Sequence, residues 1–292
     1  MPLLILNCDF RTFTLLAPVC HHIEESYDET HGKRTLKVVL FCGGLGTRLR
    51  EHSNTIPKPL VTVGPRPILW HLMRCYAHFG HTDFVLCLGY AGEMIREYFL
   101  NYNPFLTGDV TIGPDGRQLL DNEASVADWR ITMVDTGLHA NLGERLLAVR
   151  EHLEDEEVFL ANYSDQLSDL DLNQYCGEFI ASNADAGFLS VRPQQSYHYV
   201  TAGGDGMVDS LQPASASDHW INGGYFVLKH SIFDHLEAGE ELVEKPFARL
   251  AAKRLLWTRR YEGFWQSMDT LKDKIKLDRM WGQRDTPWQT WK

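Results

Sequence analysis

The sequence predicts an α/β fold, with a mainly parallel sheet flanked by helices and a small inserted lobe. Short apolar runs at 36–42, 84–88, 158–161 and 186–191 read as buried strands. Amphipathic segments with helical spacing fall between them, and strands alternating with helices build parallel, doubly wound units. The first run ends in a glycine corner, Gly43-Gly44-Leu45-Gly46, which suits a tight strand-to-helix turn.

Residues 1–34 stand apart as an N-terminal extension, and 35–292 form the domain proper. The extension has two apolar runs broken by Asp9, Arg11 and Pro18, with no basic leader, so no signal peptide is expected. His21 and His22 are adjacent and point apart on regular structure, which favours a polar linker over a metal pair. After the glycine corner, Ile68, Leu69, Leu72, Met73 and Tyr76 share one helix face that Gly80 can terminate. The strand at 84–88 ends at Gly89-Tyr90, and Met94, Ile95, Tyr98 and Phe99 mark the next helix.

The stretch 101–135, rich in Gly, Asp and Asn, reads as the lobe, with short strands at 110–112 and 129–134. A helix at 142–151 and the strand at 158–161 follow, delivering Tyr163-Ser164-Asp165. The remaining pattern is a helix at 170–182, the strand at 186–191, a polar segment at 194–219, a strand at 225–228, and helices at 242–256 and 268–281.

The chain has 292 residues and a net charge of −11, which argues against nucleic acid as the main partner, because backbone phosphates attract basic surfaces. Cysteines 8, 20, 42, 75, 87 and 176 form no metal-ligand spacing, and several lie in apolar runs. Reduced, buried thiols in a cytoplasmic protein are expected. No apolar stretch is long enough to span a bilayer, so no membrane partner is expected. Asn162-Tyr163-Ser164 matches a glycosylation sequon but ends a buried-looking strand, and it is discounted.

The glycine corner has the chemistry of a polyphosphate site. Gly44 and Gly46 allow close backbone approach, Thr47 adds a hydroxyl, Arg48 a planar five-donor head, and Lys58 a cation held between Pro57 and Pro59. Leu49 stands where the dinucleotide fingerprint needs glycine, and the Gly-Lys-Ser/Thr end of a P-loop is absent. A nicotinamide-dependent oxidoreductase is therefore disfavoured. Asp165 follows a central strand, and α/β sheets bind ligands in the crevice at such strand ends.

GGLGTRL (43–49) together with PKP (57–59) resembles the signature of the sugar-1-phosphate nucleotidyltransferases. GPRPILWH (64–71), WINGGYFV (220–227) and GFWQSMDTLKDK (263–274) are similar to the glucose-1-phosphate cytidylyltransferase branch, and the resemblance covers 36–292. It implies a Rossmann-like, mixed sheet of the nucleotide-diphospho-sugar transferase type. It also implies Mg²⁺-dependent nucleotidyl transfer from an NTP, CTP in this branch, to a sugar-1-phosphate such as glucose-1-phosphate, and a homo-oligomer. On the same resemblance Gly43, Gly44, Gly46 and Thr47 surround the triphosphate, Arg48 and Lys58 act as catalytic cations, and Asp165 and Asp269 hold Mg²⁺. Gly89 and Tyr90 border the base; Gln212, Trp220, Asn222 and Gly223 face the sugar.

Some residues keep two readings. Asp269 is either a metal ligand or the N-cap of a helix over 270–281, and Trp220 and Trp265 are either sugar-side or core aromatics. The chain departs from the family at Leu211-Gln212-Pro213, where many relatives carry Glu-Lys-Pro, at Ser164 in place of a glycine, and at 138–146 (LHANLGERL). These departures leave open a catalytically weak or inactive protein that binds a nucleotide or NDP-sugar in a regulatory role.

Overall fold

The structure is a computed structural model that describes residues 27–28, 33–44, 56–106, 109–119, 126–194 and 197–292. The chain divides into two units, 1–34 and 35–292. Within the first, β1 (Tyr27–Asp28) pairs antiparallel with β2 (Lys33–Arg34).

The second unit opens with β3 (Val38–Phe41), every residue of which is buried, as expected of a strand covered on both faces. Next come β4 (Thr62–Val63), β5 (Arg66–Pro67), α1 (Ile68–His78), β6 (Asp83–Leu88) and α2 (Gly92–Leu100). Gly80 follows α1 at φ 92°, a left-handed position that suits glycine after a helix. A hairpin of β7 (Val110–Gly113) and β8 (Gly116–Leu119) leads to β9 (Arg130–Asp135) and α3 (Leu142–Ala148). The next elements are β10 (Val158–Tyr163), β11 (Gln166–Ser168), α4 (Leu172–Ala181) and β12 (Ala186–Val191). The last are β13 (His198–Ala202), β14 (Val208–Pro213), β15 (Ile221–Asn222), β16 (Phe226–Lys229), α5 (Lys245–Ala252), β17 (Leu256–Tyr261), β18 (Trp265–Ser267) and α6 (Leu271–Gly282).

The main sheet runs in the order β17, β12, β16, β10, β3, β6, β9, with β15 sharing an edge of β12 with β16. Neighbours from β10 to β9 are parallel, whereas β16 runs antiparallel to both β10 and β12, so the sheet is mixed and Rossmann-like. Alternation along β3 feeds two cores: Val38 and Leu40 pack with the α1 face, Val39 and Phe41 with Leu146 and Phe226. Cys42, Cys75, Cys87 and Cys176 are free and buried, and burial pushes the thiols of Cys42, Cys75 and Cys176 up to about 12. Cys8 and Cys20 lie outside the described residues. Among the described residues no helix is long and apolar enough to cross a membrane.

Four stretches differ from the sequence expectation. The strand expected at 129–134 inside the lobe is β9, the edge of the main sheet, whereas β7 and β8 pair with each other off that sheet. The polar segment at 194–219 holds the β13–β14 hairpin, whose Val200, Val208 and Leu211 are exposed. The helix expected at 242–256 is only α5, because Arg254 turns left-handed at φ 58° and Leu256 starts β17 beside β12. Residues 259–266, expected to separate two helices, belong largely to β17 and β18.

The inner face of α1 also buries His71 among tryptophans. Its ring centroid lies 5.5 Å from that of Trp281, 6.3 Å from Trp288 and 6.4 Å from Trp291. Nε2–H donates to the Val63 carbonyl at 2.9 Å, while Nδ1 has no hydrogen-bond partner among the described residues. Burial, aided by nearby Arg66 and Lys292, pushes the pKa down to about 4. The folded ring thus stays neutral in a range where an unfolded histidine, with a pKa near 6.5, takes up a proton. This stabilisation is complete above pH 6.5 and is lost as pH falls toward 4. We expect the unfolding free energy to drop by about 3 kcal/mol across that window, from 1.36 kcal/mol per pKa unit. Urea titrations at several pH values check this, and an undiminished slope in His71→Gln would place its source elsewhere.

Candidate active site

The parallel strands β3, β6 and β10 end side by side, and each releases a functional segment at its C-terminal end. Phe41 pairs with Tyr163 and with Cys87, so Gly43, Gly89 and Asp165 emerge at one edge of the sheet. A cavity of about 560 Å³ opens there, lined in part by Gly43, Gly44, Lys58, Arg145, Asp165 and Asp269. Ligands of open α/β sheets sit in this crevice.

Lys58 begins a 3₁₀ turn (Lys58–Leu60) between Pro57 and Pro59. Its ammonium donates to Asp165 Oδ2 and, at 2.9 Å, to Asp269 Oδ1. The two carboxylates are distant in sequence. They meet because β11 pairs with β18, opposing Gln166 to Ser267, and the Met268 N–H donates to the Asp165 carbonyl at 2.9 Å. Burial works against the lysine's charge, but Asp165 and then Asp269 outweigh it and hold its pKa above the ordinary value. Thr270 caps α6 through a capping box with Asp273, so the N-cap alternative for Asp269 is overturned. Ser164, at the family's glycine position, donates to the Phe41 carbonyl at 2.9 Å and ties the end of β10 to β3.

Arg145, on α3, organises the glycine corner. Its guanidinium donates to the Gly43 carbonyl at 3.1 Å, the Leu88 carbonyl at 3.2 Å and Thr136 Oγ1 at 2.7 Å. A Cβ on Gly43 would lie 2.1 Å from Arg145 Nη1, and one on Gly89 would lie 2.8 Å from the Gly43 carbonyl oxygen and 2.9 Å from Nη1. A side chain at Gly89 would run into the Gly43 backbone, and one at Gly43 would push the Arg145 guanidinium off its carbonyl partners. A Cβ on Gly44, by contrast, would meet nothing within 4 Å among the described residues.

Of the residues expected at the site, Gly43, Gly44, Lys58, Asp165, Asn222 and Asp269 line the cavity. Gly46, Thr47 and Arg48 lie outside the described residues. Gly89 and Tyr90 sit behind the corner, where the Tyr90 N–H donates to the Gly43 carbonyl at 3.4 Å. Asn222 accepts from the Gly224 N–H at 2.8 Å. Gly223 backs onto Val191, and its carbonyl accepts from Trp265 Nε1 at 2.9 Å, which makes Trp265 a core residue. Trp220 stacks under Arg192 at 4.4 Å and Arg260 at 5.4 Å, and Gln212 is exposed on β14; neither lines the cavity. Lys245 is exposed, 3.8 Å from Glu240, and Arg192 donates to the Ser217 carbonyl.

Four cavity residues had no motif to announce them. Arg145 left a trace only in the glycines it demands. Asn141 doubles as the α3 N-cap, Gln166 is buried, and burial raises the pKa of Glu241, whose carboxylate accepts from the Leu142 N–H at 3.3 Å. Among the described residues no three His, Cys, Asp or Glu side chains gather to hold a metal ion. Asp165 and Asp269 nevertheless fit Mg²⁺, a hard cation that takes one or two protein carboxylates and completes its shell with water and phosphate oxygens.

Comparison with known proteins shows the family and the fold. The profile of the nucleotidyl transferase family matches residues 37–256. The chain is 38% identical over 258 residues to glucose-1-phosphate cytidylyltransferase of Salmonella typhimurium, covering 88% of this chain and all of the relative. It is 26% identical over 244 residues to mannose-1-phosphate guanyltransferase of Yarrowia lipolytica, covering 82% of this chain and 62% of the relative. The fold resembles that of UDP-glucose pyrophosphorylase from Acinetobacter baumanii, with a TM-score of 0.62 at 19% identity over 86% of this chain and 94% of that one.

Arg145→Met would leave the Gly43 and Leu88 carbonyls without their charged donor. We expect a loss of about 2–3 kcal/mol, the scale of hydrogen bonds to charged groups. Denaturant titration checks it, and a midpoint unchanged from the parent would show that the corner holds without the arginine.

Proposed function

The chain belongs to the nucleotidyl transferase family, enzymes of nucleotidyl transfer to a sugar-1-phosphate, and we propose that here the donor is CTP, the acceptor glucose-1-phosphate and the cofactor Mg²⁺. The observation that carries the site assignment is the placement of Lys58 between Asp165 and Asp269 in the strand-end crevice. The choice of CTP and glucose-1-phosphate rests on the full-length similarity to a glucose-1-phosphate cytidylyltransferase.

In this reaction an oxygen of the sugar phosphate attacks the α-phosphorus, the bond from that phosphorus to the bridging oxygen breaks, and pyrophosphate leaves. The nucleophile is already ionised at neutral pH, so no general base is needed. The difficulty is repulsion between two polyanions, which positioning and fixed positive charge relieve. Gly43 and Gly44 offer backbone to the triphosphate, and Arg145 holds that backbone still. Lys58 supplies positive charge at the α-phosphate, and Arg48 adds its guanidinium farther along the chain of phosphates. Asp165 and Asp269 would hold Mg²⁺, which when bound neutralises charge on the phosphate oxygens. Gly89 and Tyr90 are assigned to the base side. The sugar is assigned to the polar wall of the cavity, Asn222 with Gln166 and Glu241, in place of Gln212 and Trp220.

Pyrophosphate release from each NTP with a panel of sugar-1-phosphates tests the pairing, and the highest kcat/KM is expected for CTP with glucose-1-phosphate. A higher value for any other pair overturns that choice. Asp165→Asn keeps the side-chain size and removes the charge. We expect kcat to fall by at least about 100-fold, the scale of losing a key electrostatic group. A near-normal kcat at saturating Mg²⁺ would remove Asp165 from the metal site.

A further inference from the structure

The two carboxylates assigned to Mg²⁺ in the reading above are already bridged by a cation that belongs to the chain. The side chains of Lys58, Asp165 and Asp269 are 15%, 16% and 31% exposed, so this bridge is largely shielded from water. We propose that Lys58 is a placeholder: without metal its ammonium neutralises the carboxylate pair, and an arriving divalent ion displaces it from that pair. This inference rests on the assignment of the metal to Asp165 and Asp269, and not on the identity of nucleotide or sugar.

Three features point the same way. First, Asp165 Oδ2 and Asp269 Oδ1 converge on one nitrogen, so one ion can bridge them, and ammonium and metal compete for the same oxygens. Second, two half-buried carboxylates with nothing between them are costly, because like charges repel where water is scarce. An internal cation keeps the site assembled before the metal binds. Third, the lysine's backbone is pinned between two prolines in the 3₁₀ turn, which leaves the four-carbon stem to move. A compact point charge on such a stem can let go of one anion and take another, which a forked guanidinium does less readily.

Metal binding and phosphate binding are then linked. An ion alone must displace a tethered ammonium without offering it a new anion. Arriving with a triphosphate, the ion frees Nζ while the phosphate oxygens offer it a new partner. The metal alone binds weakly, and metal with nucleotide binds more tightly than the separate affinities predict.

The test is the affinity of the nucleotide-free, full-length chain for Mn²⁺, by electron paramagnetic resonance or calorimetry, in the parent and in Lys58→Met. Removing the competing cation is expected to tighten Mn²⁺ at least about tenfold, since the unneutralised pair is the costly state. In an Asp269→Asn background the gain should shrink to about twofold or less, because only one carboxylate then needs a cation. Equal or weaker binding by Lys58→Met would overturn the proposal, placing the metal on outer carboxylate oxygens with the lysine retained beside it. Thermal melts provide a second measurement. Mn²⁺ should raise the Tm of Lys58→Met more than that of the parent, as mass action requires of the tighter binder, and an equal or smaller rise counts against the proposal. Absence of Mn²⁺ binding in both proteins would overturn the placeholder and the metal assignment together. A failed CTP assay would leave this result standing.

Discussion

The ammonium of Lys58, held between Asp165 and Asp269, constrains where three separate pieces of the chain can lie. It fixes the proline-flanked turn against the end of β10 and against the segment that leads from β18 into α6. Those pieces meet because β11 pairs with β18 and β10 pairs in register with β3. A mixed sheet makes this possible. With β16 running antiparallel between β10 and β12, the chain can extend the sheet on the far side and still return α6 to the crevice.

A second constraint acts on the backbone. Arg145 joins the ends of β3 and β6 by holding one carbonyl from each, and it fills the space that a side chain at Gly43 or Gly89 would occupy. A glycine corner followed by cations is commonly read as room for phosphate alone. Here Gly43 and Gly89 are glycines first because a buried guanidinium lies against them. Gly44 has open space beside it among the described residues, where a ligand can approach closely. Rigidity of the corner therefore comes from a helix far along the sequence.

The electrostatics are local. A chain with net charge −11 repels polyanions at long range, yet screening shortens that field, and among the described residues a phosphate entering the crevice would meet the Lys58 ammonium, the Arg145 guanidinium and backbone. Two carboxylates and Glu241 share the same cavity, so among the described residues its acidic groups outnumber the cations, Lys58 and Arg145, that would face two polyanions. A divalent ion shared by protein carboxylates and substrate phosphates resolves that imbalance, consistent with enzymes whose chemistry is mainly charge neutralisation.

The sequence by itself determined β3, β6, β10, β12 and β16 of the central sheet, the buried face of α1 and the glycine pair that follows β3. Each depends on interactions over a few residues: alternation along β3, helical spacing from Ile68 to Tyr76, glycine where the chain turns. The resemblance in the motifs added Lys58, Asp165 and Asp269. Tertiary structure decided what local pattern could not carry. Arg130–Asp135 looks like any short alternating strand, and only its pairing with β6 makes it part of the sheet. Asp269 and Thr270 are both good N-cap residues, and backbone geometry gives the cap to Thr270 and turns Asp269 toward Lys58. Gln212 is expected on the sugar side, yet the hairpin holds it in the open, and Asn222, Gln166 and Glu241 line the cavity. Periodicity reports which side of an element is buried. Which elements become neighbours, and so which side chains share a cavity, is set by strand order and register across the whole sheet.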